Sequence, residues 1–173
     1  MAYDMNDVDV RDEFVDAILL MLQSDLHRGF YIKDLERLVI PPLLHGKMTV
    51  IYPCDYTGMN DYKPVGLYSY AFLGEEAEKG YMDGSRKIQP EDWQNGPGDG
   101  TLWVIDFIAP YNNARTIVRQ VQKELTEYYI DTYPKDGAWF RRPAKGGHKR
   151  WSSGVLFQIE ERKKKNAHLR LVS

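Results

Sequence analysis

Cysteine is almost absent from this sequence, because Cys54 is the only one in 173 residues. A single thiol cannot close an internal disulfide or build a multi-thiolate metal site, and such cysteine usage is typical of a reducing cytoplasm. Long apolar runs are also lacking, since none approaches the roughly 20 residues that span a bilayer. The acidic amino terminus has no basic region followed by an apolar stretch, so we expect no secretory signal.

Core-forming residues, by contrast, are plentiful. Apolar residues make up 43% of the chain and aromatic residues 13%, which is too many for a chain that stays unfolded. The length suits one globular domain, and neither a repeat nor a linker divides the sequence. We therefore predict a single domain over residues 1–173. The stretch 111–173 belongs to this domain, and its end, residues 161–173, is predicted to be a flexible tail.

The net charge of −2 conceals an asymmetry along the chain. Residues 1–110 contain 9 Lys and Arg against 19 Asp and Glu, whereas residues 111–173 contain 14 against 6. A basic third on an acidic protein suggests an acidic partner, which could be nucleic acid, an anionic membrane or an acidic protein. The alternative is that these charges are solvated faces with no partner. No nucleic-acid recognition motif accompanies the basic third, so we predict no nucleic-acid binding and no stable membrane insertion.

Hydrophobic spacing predicts a mixed α+β fold. Helical periodicity marks residues 12–23, 75–82 and 112–129, and a helix from Ile32 is expected to stop at Pro41 and Pro42. Strand patterns mark residues 47–52, 64–72, 101–109, 138–141 and 154–159, with loops over 55–63 and 91–100. This order predicts a mainly antiparallel central sheet with helices packed against it.

Asp106 is a carboxylate set in the clearest predicted strand. Strict alternation of side chains would place it on the face of Val104 and Ile108, opposite Trp103. A carboxylate in an apolar row needs a partner or a proton, which makes Asp106 a candidate for orienting a catalytic base. The alternative is an aspartate that faces water at a sheet edge or caps a neighbouring loop.

Histidine gives no metal signal. The four histidines have no metal-ligand spacing and no His-Glu-x-x-His pattern, so we predict no metal site. His27 lies in a polar connector after the first predicted helix. A lone histidine in a loop is more often structural or solvated than catalytic, and its promotion requires further support.

That support is a resemblance carried by five segments in order. Their most specific element is the Trp-x-Ile-Asp-x-Ile-Ala-Pro stretch around Asp106, joined to the Leu-His-Arg motif around His27. The five segments are SDLHR (24–28), VIPPL (39–43), PVGLYSYAFL (64–73), PEDW (90–93) and GTLWVIDFIAPY (100–111). This series resembles the toxin-activating lysine acyltransferases, which mature RTX protoxins such as hemolysin, and it covers about residues 22–125.

The resemblance implies a fold similar to the GNAT acyltransferases and a cytoplasmic location. It also implies transfer of a fatty acyl group from acyl–acyl carrier protein to internal lysines of an RTX-type protoxin, with no bound cofactor. No glycine-rich loop suited to a CoA pyrophosphate opens a helix here. An acyl carrier protein is acidic, so we predict that basic residues dock it, namely Arg115, Arg119, Arg141 and Arg142.

Residue by residue, the resemblance places the family's essential histidine on His27 and its catalytic aspartate on Asp106. A lysine amine has a pKa of about 10.4 and is protonated at neutral pH, so its attack on a thioester needs a base. His27 would accept that proton and Asp106 would orient the imidazole, or His27 would carry the acyl group transiently. Ser24 is the expected supporting hydroxyl. The sequence leaves both routes open.

Leu38 stands where the family commonly has an amide side chain that helps to hold the oxyanion. Oxyanion stabilisation is therefore expected from another donor. The acyl chain needs an apolar groove, for which the candidates are Tyr68, Tyr70, Phe72, Trp103 and Phe107. The alternative is that these aromatic residues belong to the ordinary core, as aromatic residues on strands more often do. The alternative to an enzyme is a non-catalytic module of the same fold that binds an acyl carrier or another partner. A homodimer is left open.

Overall fold

The computed structural model describes residues 8–53, 63–129, 138–143 and 151–157. The α-helices are α1 (Val8–Leu22), α2 (Ile32–Leu38), α3 (Ile40–Leu44), α4 (Glu75–Asp83) and α5 (Ala114–Tyr129), and a 3-10 helix spans Pro90–Gln94. The strands are β1 (Met48–Ile51), β2 (Gly66–Leu73), β3 (Thr101–Ile108), β4 (Ala138–Pro143) and β5 (Trp151–Phe157). Cys54, most of the predicted loop 55–63 and the tail 161–173 lie outside the described residues. No helix in the described ranges is long and apolar enough to cross a bilayer.

The strands form one sheet in the order β1-β2-β3-β4-β5. Neighbouring strands run antiparallel except β3 and β4, which are parallel and are connected through α5. A mainly antiparallel sheet with helices against it confirms the predicted α+β class. Strands β4 and β5, from the basic third of the chain, extend this same sheet.

Helices cover both faces of the sheet. One apolar cluster joins α1, α2 and α3 to the face that carries Leu67, Ala71 and Trp103. A second cluster joins α5, through Ile117 and Val121, to the opposite face. Because both of its faces are covered, β2 is buried along its whole length.

The two consecutive prolines lie inside a helix rather than at the end of one. Helix α2 ends at Leu38, and Val39, with φ −119° and ψ −56°, separates it from α3. Pro41 and Pro42 lie in the first turn of α3, where a missing N–H costs little because the first amides of a helix have no intrahelical partner. The prediction that a helix stops at these prolines was wrong. Residues 91–94, expected as loop, belong to the 3-10 helix.

A β-bulge in β3 decides which face Asp106 occupies. Ser69 of β2 pairs with Asp106, but the next residue, Tyr70, pairs with Val104, so Ile105 is the extra residue. The bulge breaks the alternation of side chains and turns Asp106 towards the face that α1 covers. The prediction that Asp106 shares a face with Val104 was wrong, because alternation holds only in a strand without an extra residue.

Candidate active site

The turn that follows α1 brings Ser24 and His27 together. The carbonyl oxygen of Ser24 accepts hydrogen bonds from the amides of His27, at 3.0 Å, and Arg28, at 2.9 Å. In this turn Oγ of Ser24 lies 2.6 Å from Nδ1 of His27. The contact between the two side chains is therefore built locally, by the first of the recognised motifs.

His27 is buried although it lies in a loop. Its exposed fraction is 4%, and its ring packs edge-on against Phe30 with the ring centroids 5.1 Å apart. The second ring nitrogen, Nε2, lies 3.2 Å from Oδ1 of Asp106. The structure thus brings together the three side chains that the sequence nominated, Ser24, His27 and Asp106.

Asp106 lies at the other end of this row of contacts. Its backbone amide donates to Oγ of the fully buried Ser69, at 3.3 Å. Its Oδ2 is also buried and has no hydrogen-bond partner within the described residues. A buried carboxylate oxygen costs free energy unless a donor reaches it. An amine or ammonium group of a substrate is a donor that would satisfy this oxygen.

The arrangement differs from a hydrolytic triad in one respect. In such a triad the carboxylate contacts Nδ1 and leaves Nε2 for the substrate, whereas here Asp106 contacts Nε2 and Ser24 contacts Nδ1. A hydroxyl both donates and accepts, so Ser24 is compatible with either neutral tautomer of His27 and with the imidazolium. Ser24 can therefore hold His27 in place before and after it gains a proton, whereas the contact of Nε2 with Asp106 is a hydrogen bond only when Nε2 carries a proton.

A cleft of about 1060 Å³ opens beside Asp106. The described pairing of the parallel strands β3 and β4 is confined to two positions, Trp103 with Trp139 and Val104 with Phe140. The cleft lies next to this short pairing and reaches both faces of the sheet. Its lining includes Leu26, His27 and Phe30 on the α1 side, and Phe107, Val118 and Phe140 on the α5 side.

Three guanidinium groups of the cleft wall are held by hydrogen bonds. Arg86 donates to both carboxylate oxygens of Asp92, at 2.6 and 2.9 Å. Arg37 donates to a backbone carbonyl of the loop after α4, at 3.2 Å. Arg141 donates to the carbonyl oxygen of Tyr81, at 2.6 Å, and its guanidinium lies over that ring. The charges of Arg86 and Arg37 are balanced by carboxylates, since Arg37 also lies 3.5 Å from Asp34, so the wall offers pre-oriented guanidinium donors rather than a net positive charge.

Tyr81 is a cleft residue that the sequence reasoning missed. Its ring packs edge-on against Trp103, with the centroids 5.4 Å apart. Burial raises the pKa of its hydroxyl well above the ordinary value, and the carboxylate of Asp106 raises that pKa further. The hydroxyl is thus a hydrogen-bond donor in the cleft at neutral pH. The available signal was the spacing of Ala77 and Tyr81, one helical turn apart on the side of α4 that packs on the core.

Most of the aromatic residues nominated for an acyl groove belong to the core instead. Tyr68, Phe72 and Trp103 are at most 1% exposed, Tyr70 is 8% exposed, and none of the four lines the cleft. Phe107 does line it. For these four the alternative interpretation, ordinary core, is confirmed, because their strands are covered on both faces and their rings fill the core.

The four arginines nominated for acyl-carrier docking have different settings. Arg115 and Arg119 are exposed on α5. Arg141 is partly buried and lines the cleft. Arg142 belongs to β4, and its side chain lies outside the described part of the structure. Docking of a carrier at these residues stays a prediction.

Comparison with known protein families matches residues 6–137 to the RTX toxin acyltransferase family. This chain belongs to that family. Three curated relatives have low sequence identity to this chain. The lysine-acyltransferase RtxC of Vibrio cholerae is 23% identical over 109 residues, which are 63% of this chain and 65% of the relative. The leukotoxin-activating lysine-acyltransferase LtxC of Aggregatibacter actinomycetemcomitans is 28% identical over 104 residues, 60% of this chain and 56% of the relative.

The third relative is the protein-lysine myristoyltransferase HlyC of Escherichia coli, 26% identical over 108 residues, 62% of this chain and 58% of the relative. The chain therefore spans less than two thirds of the length of these relatives. The matched family segment contains His27, Asp106 and Ser24.

Proposed function

We propose that this protein is a protein-lysine fatty acyltransferase that takes the acyl group from acyl–acyl carrier protein. Its acceptor would be an internal lysine of an RTX-type protoxin, and its location the cytoplasm. The observation that carries the proposal is the Ser24–His27–Asp106 row, which ends on an unpartnered buried carboxylate oxygen beside a cleft. Family membership and the printed names of the relatives support the same chemistry.

In this proposal Asp106 receives the acceptor lysine and His27 takes its proton. The ammonium group pairs with Oδ2 of Asp106, and Nε2 of His27 removes one proton while Nδ1–H donates to Ser24 Oγ. The free amine attacks the thioester carbonyl, and the carrier thiolate leaves as the amide forms. The resulting imidazolium lies 3.2 Å from the Asp106 carboxylate, which stabilises it. The attacking nitrogen loses its second proton to the leaving thiolate as the amide forms, and His27 then releases the first proton to the solvent.

Oxyanion stabilisation needs a donor other than residue 38. Leu38 lines the cleft and is 6% exposed, and its side chain has no hydrogen-bond donor. The hydroxyl of Tyr81 and the guanidinium of Arg141 both belong to this cleft. We assign to them the developing negative charge of the tetrahedral intermediate.

The carrier would approach from the α5 side of the sheet. Arg115 and Arg119 are exposed there, and an acidic carrier is attracted by exposed cations. The apolar lining on this side, from Phe107, Val118 and Phe140, would hold the acyl chain. Since each buried methylene contributes about 0.8 kcal/mol, the depth of this lining would select chain length. The mainly antiparallel sheet with helices on both faces is compatible with a GNAT-like fold.

The direct test is incubation with fatty acyl–acyl carrier protein and a lysine-containing acceptor, followed by mass spectrometry for acyl-lysine. We expect transfer by the parent protein and its loss in His27→Ala. The matched control is His45→Ala, because His45 is an exposed histidine that does not line the cleft. Transfer that persists undiminished in both His27→Ala and Asp106→Ala would refute the assigned site. Absence of transfer from every donor would favour the non-catalytic binding module.

A further inference from the structure

Exposed apolar side chains are concentrated on one part of the surface. Nine large apolar side chains are exposed in the described residues, and six of them lie between Val15 and Ile32. Val15, Leu19 and Leu22 follow one another on α1 at spacings of four and three residues, which places them on one stripe of the helix. Their exposed fractions are 53%, 47% and 60%. A contiguous apolar stripe of this kind marks an interaction site more often than scattered exposed residues do.

The stripe leads directly to the active site. Leu26, 50% exposed, continues it into the turn that carries His27, and Leu26 also lines the cleft. Met82, 47% exposed, lines the same cleft from the end of α4. A polypeptide that covers the stripe would therefore pass the part of the cleft that His27 and Asp106 line.

The charge around this stripe is negative. Between Asp9 and Arg28 the sequence has five carboxylates and two arginines; Asp25 is paired with Arg28, at 3.3 Å, and Asp12 is exposed. On the opposite face of the sheet, the exposed charges of α5 include Arg115, Arg119 and Lys123. The two sides of the cleft thus present opposite charge to ligands that approach them.

We propose that the α1 stripe, defined as Val15, Leu19, Leu22 and Leu26, binds the acceptor polypeptide through an apolar, basic segment that contains the target lysine. This inference rests on the proposed function. Apolar side chains of the acceptor cover the stripe, its basic residues meet the surrounding carboxylates, and its lysine enters beside Leu26 to reach Asp106. The donor and the acceptor are both macromolecules, so they need separate approaches to one thioester, and the cleft reaches both faces of the sheet.

Charge favours this occupant over the other two classes. An acidic acyl carrier and an anionic lipid surface are both repelled by the carboxylates around α1. A second copy of this chain would bring two identical acidic stripes together, because a two-fold interface places the same patch on both subunits. A basic lysine-bearing segment is attracted instead.

The test measures peptide binding by fluorescence anisotropy with the full chain. The probe is a short labelled peptide with one lysine flanked by leucine and arginine, and its counterpart has serine and glutamate at the flanking positions. We expect the first peptide to bind at least about tenfold more tightly, and Leu19→Gln/Leu22→Gln to remove that advantage. Leu44→Gln, at an exposed leucine of α3, is the matched control and should bind like the parent. Asp12→Lys, which leaves every apolar side chain in place, should weaken binding severalfold.

Equal binding of the two peptides would overturn the inference, and so would unchanged binding by both the Leu19→Gln/Leu22→Gln double variant and Asp12→Lys. So would stripe variants that change only the sedimentation mass or only binding to anionic vesicles, because those results assign the stripe to a second copy or to a membrane. Transfer to a small free amine such as N-acetyl-lysine amide separates the two proposals. If the parent acylates this amine and the stripe variants do so equally, the proposed function stands whatever the peptides show. If the parent acylates no amine, the proposed function fails by itself.

Discussion

Replacement of Asp106 by asparagine is the change that tests the site most directly. Asp106→Asn keeps the shape of the side chain and a hydrogen-bond acceptor for Nε2 of His27, but it removes the negative charge. In the proposed reaction that charge has two uses, since it pairs with the lysine ammonium and stabilises the imidazolium. A variant that retains geometry and loses charge therefore separates catalysis from packing.

The magnitude follows from the distance between the two groups. Two unit charges 3.2 Å apart attract each other by about 5 kcal/mol at an effective dielectric constant of 20. This attraction is gained only after His27 takes the proton, so it lowers the barrier rather than the energy of the resting protein. The asparagine carbonyl recovers part of it through its dipole. We expect kcat/KM for acyl-lysine formation to fall about 10³-fold.

The thermal stability of Asp106→Asn is expected to stay the same or to rise, although its activity falls. Oδ1 of Asp106 contacts His27, but Oδ2 is buried without a partner in the described structure, and an incompletely satisfied buried carboxylate costs more than a buried neutral amide. Asp106→Asn should therefore unfold at the same temperature as the parent or at a higher one, as measured by differential scanning calorimetry. A residue that is kept for the reaction at the expense of stability gives this combination.

Asp83→Asn is the matched control for this experiment. Asp83 lines the same cleft, but its Oδ1 accepts a hydrogen bond from the amide of Ser85, at 2.7 Å, and no contact with His27 is described for it. We expect its kcat/KM to stay within about twofold of the parent value. Two results contradict the reasoning. One is Asp106→Asn with more than a tenth of the parent activity, and the other is a variant that loses activity and stability together.

Three further predictions concern Ser24, Gly100 and Tyr81. Ser24→Ala removes the hydroxyl 2.6 Å from Nδ1 and should lower kcat/KM about 10- to 100-fold in steady-state assays, whereas Ser24→Thr keeps a hydroxyl and should retain most activity. A Cβ at Gly100 would overlap the backbone at the end of β2, so Gly100→Ala should lower the free energy of unfolding, measured in urea, by about 2 kcal/mol or more. The control is Gly29→Ala, which should leave that free energy almost unchanged because the space around the new Cβ is open. Burial raises the pKa of the Tyr81 phenol, so Tyr81→Phe should leave the phenolate absorbance unchanged up to about pH 11. The folded protein binds this proton more tightly than the unfolded chain does, so the associated stabilisation is complete below about pH 10 and is lost as the pH rises above it.

Local periodicity was enough to predict most elements of the fold. The helical spacing of apolar residues located α1 and α5 to within a few residues, and the run of β-branched and aromatic residues located β3. The parallel pairing of β3 with β4 had no such signal, because a period of two marks a strand without naming its partner. The position of Pro41 and Pro42 was predicted wrongly for a related reason, because proline can follow the end of one helix or occupy the first turn of the next.

The candidate site was less accessible from the residues alone. Asp106 carried a signal because a carboxylate in an apolar strand is unusual. His27 carried none, since its setting is a polar loop, and its buried ring contacts Asp106, which lies 79 positions away. The resemblance to a family supplied this pairing, and the structure supplied the contacts that explain it. Tyr81 required the tertiary structure, because a tyrosine on an amphipathic helix is ordinary until the cleft beside it is known.

The bulge at Ile105 shows why the position of Asp106 was the part that alternation could not predict. A strand covered on one face has a register fixed by its apolar pattern, because a slip of one residue exposes the core side chains. Strand β3 is covered on both faces, so its apolar residues are accommodated with or without the extra residue. The choice then depends on the polar side chain. Without the bulge, Asp106 would point into the apolar cluster under α5, far from the imidazole, and would remain an unpaired buried charge. With the bulge its carboxylate contacts His27 and its amide donates to Ser69 Oγ, so these two contacts favour the irregular register.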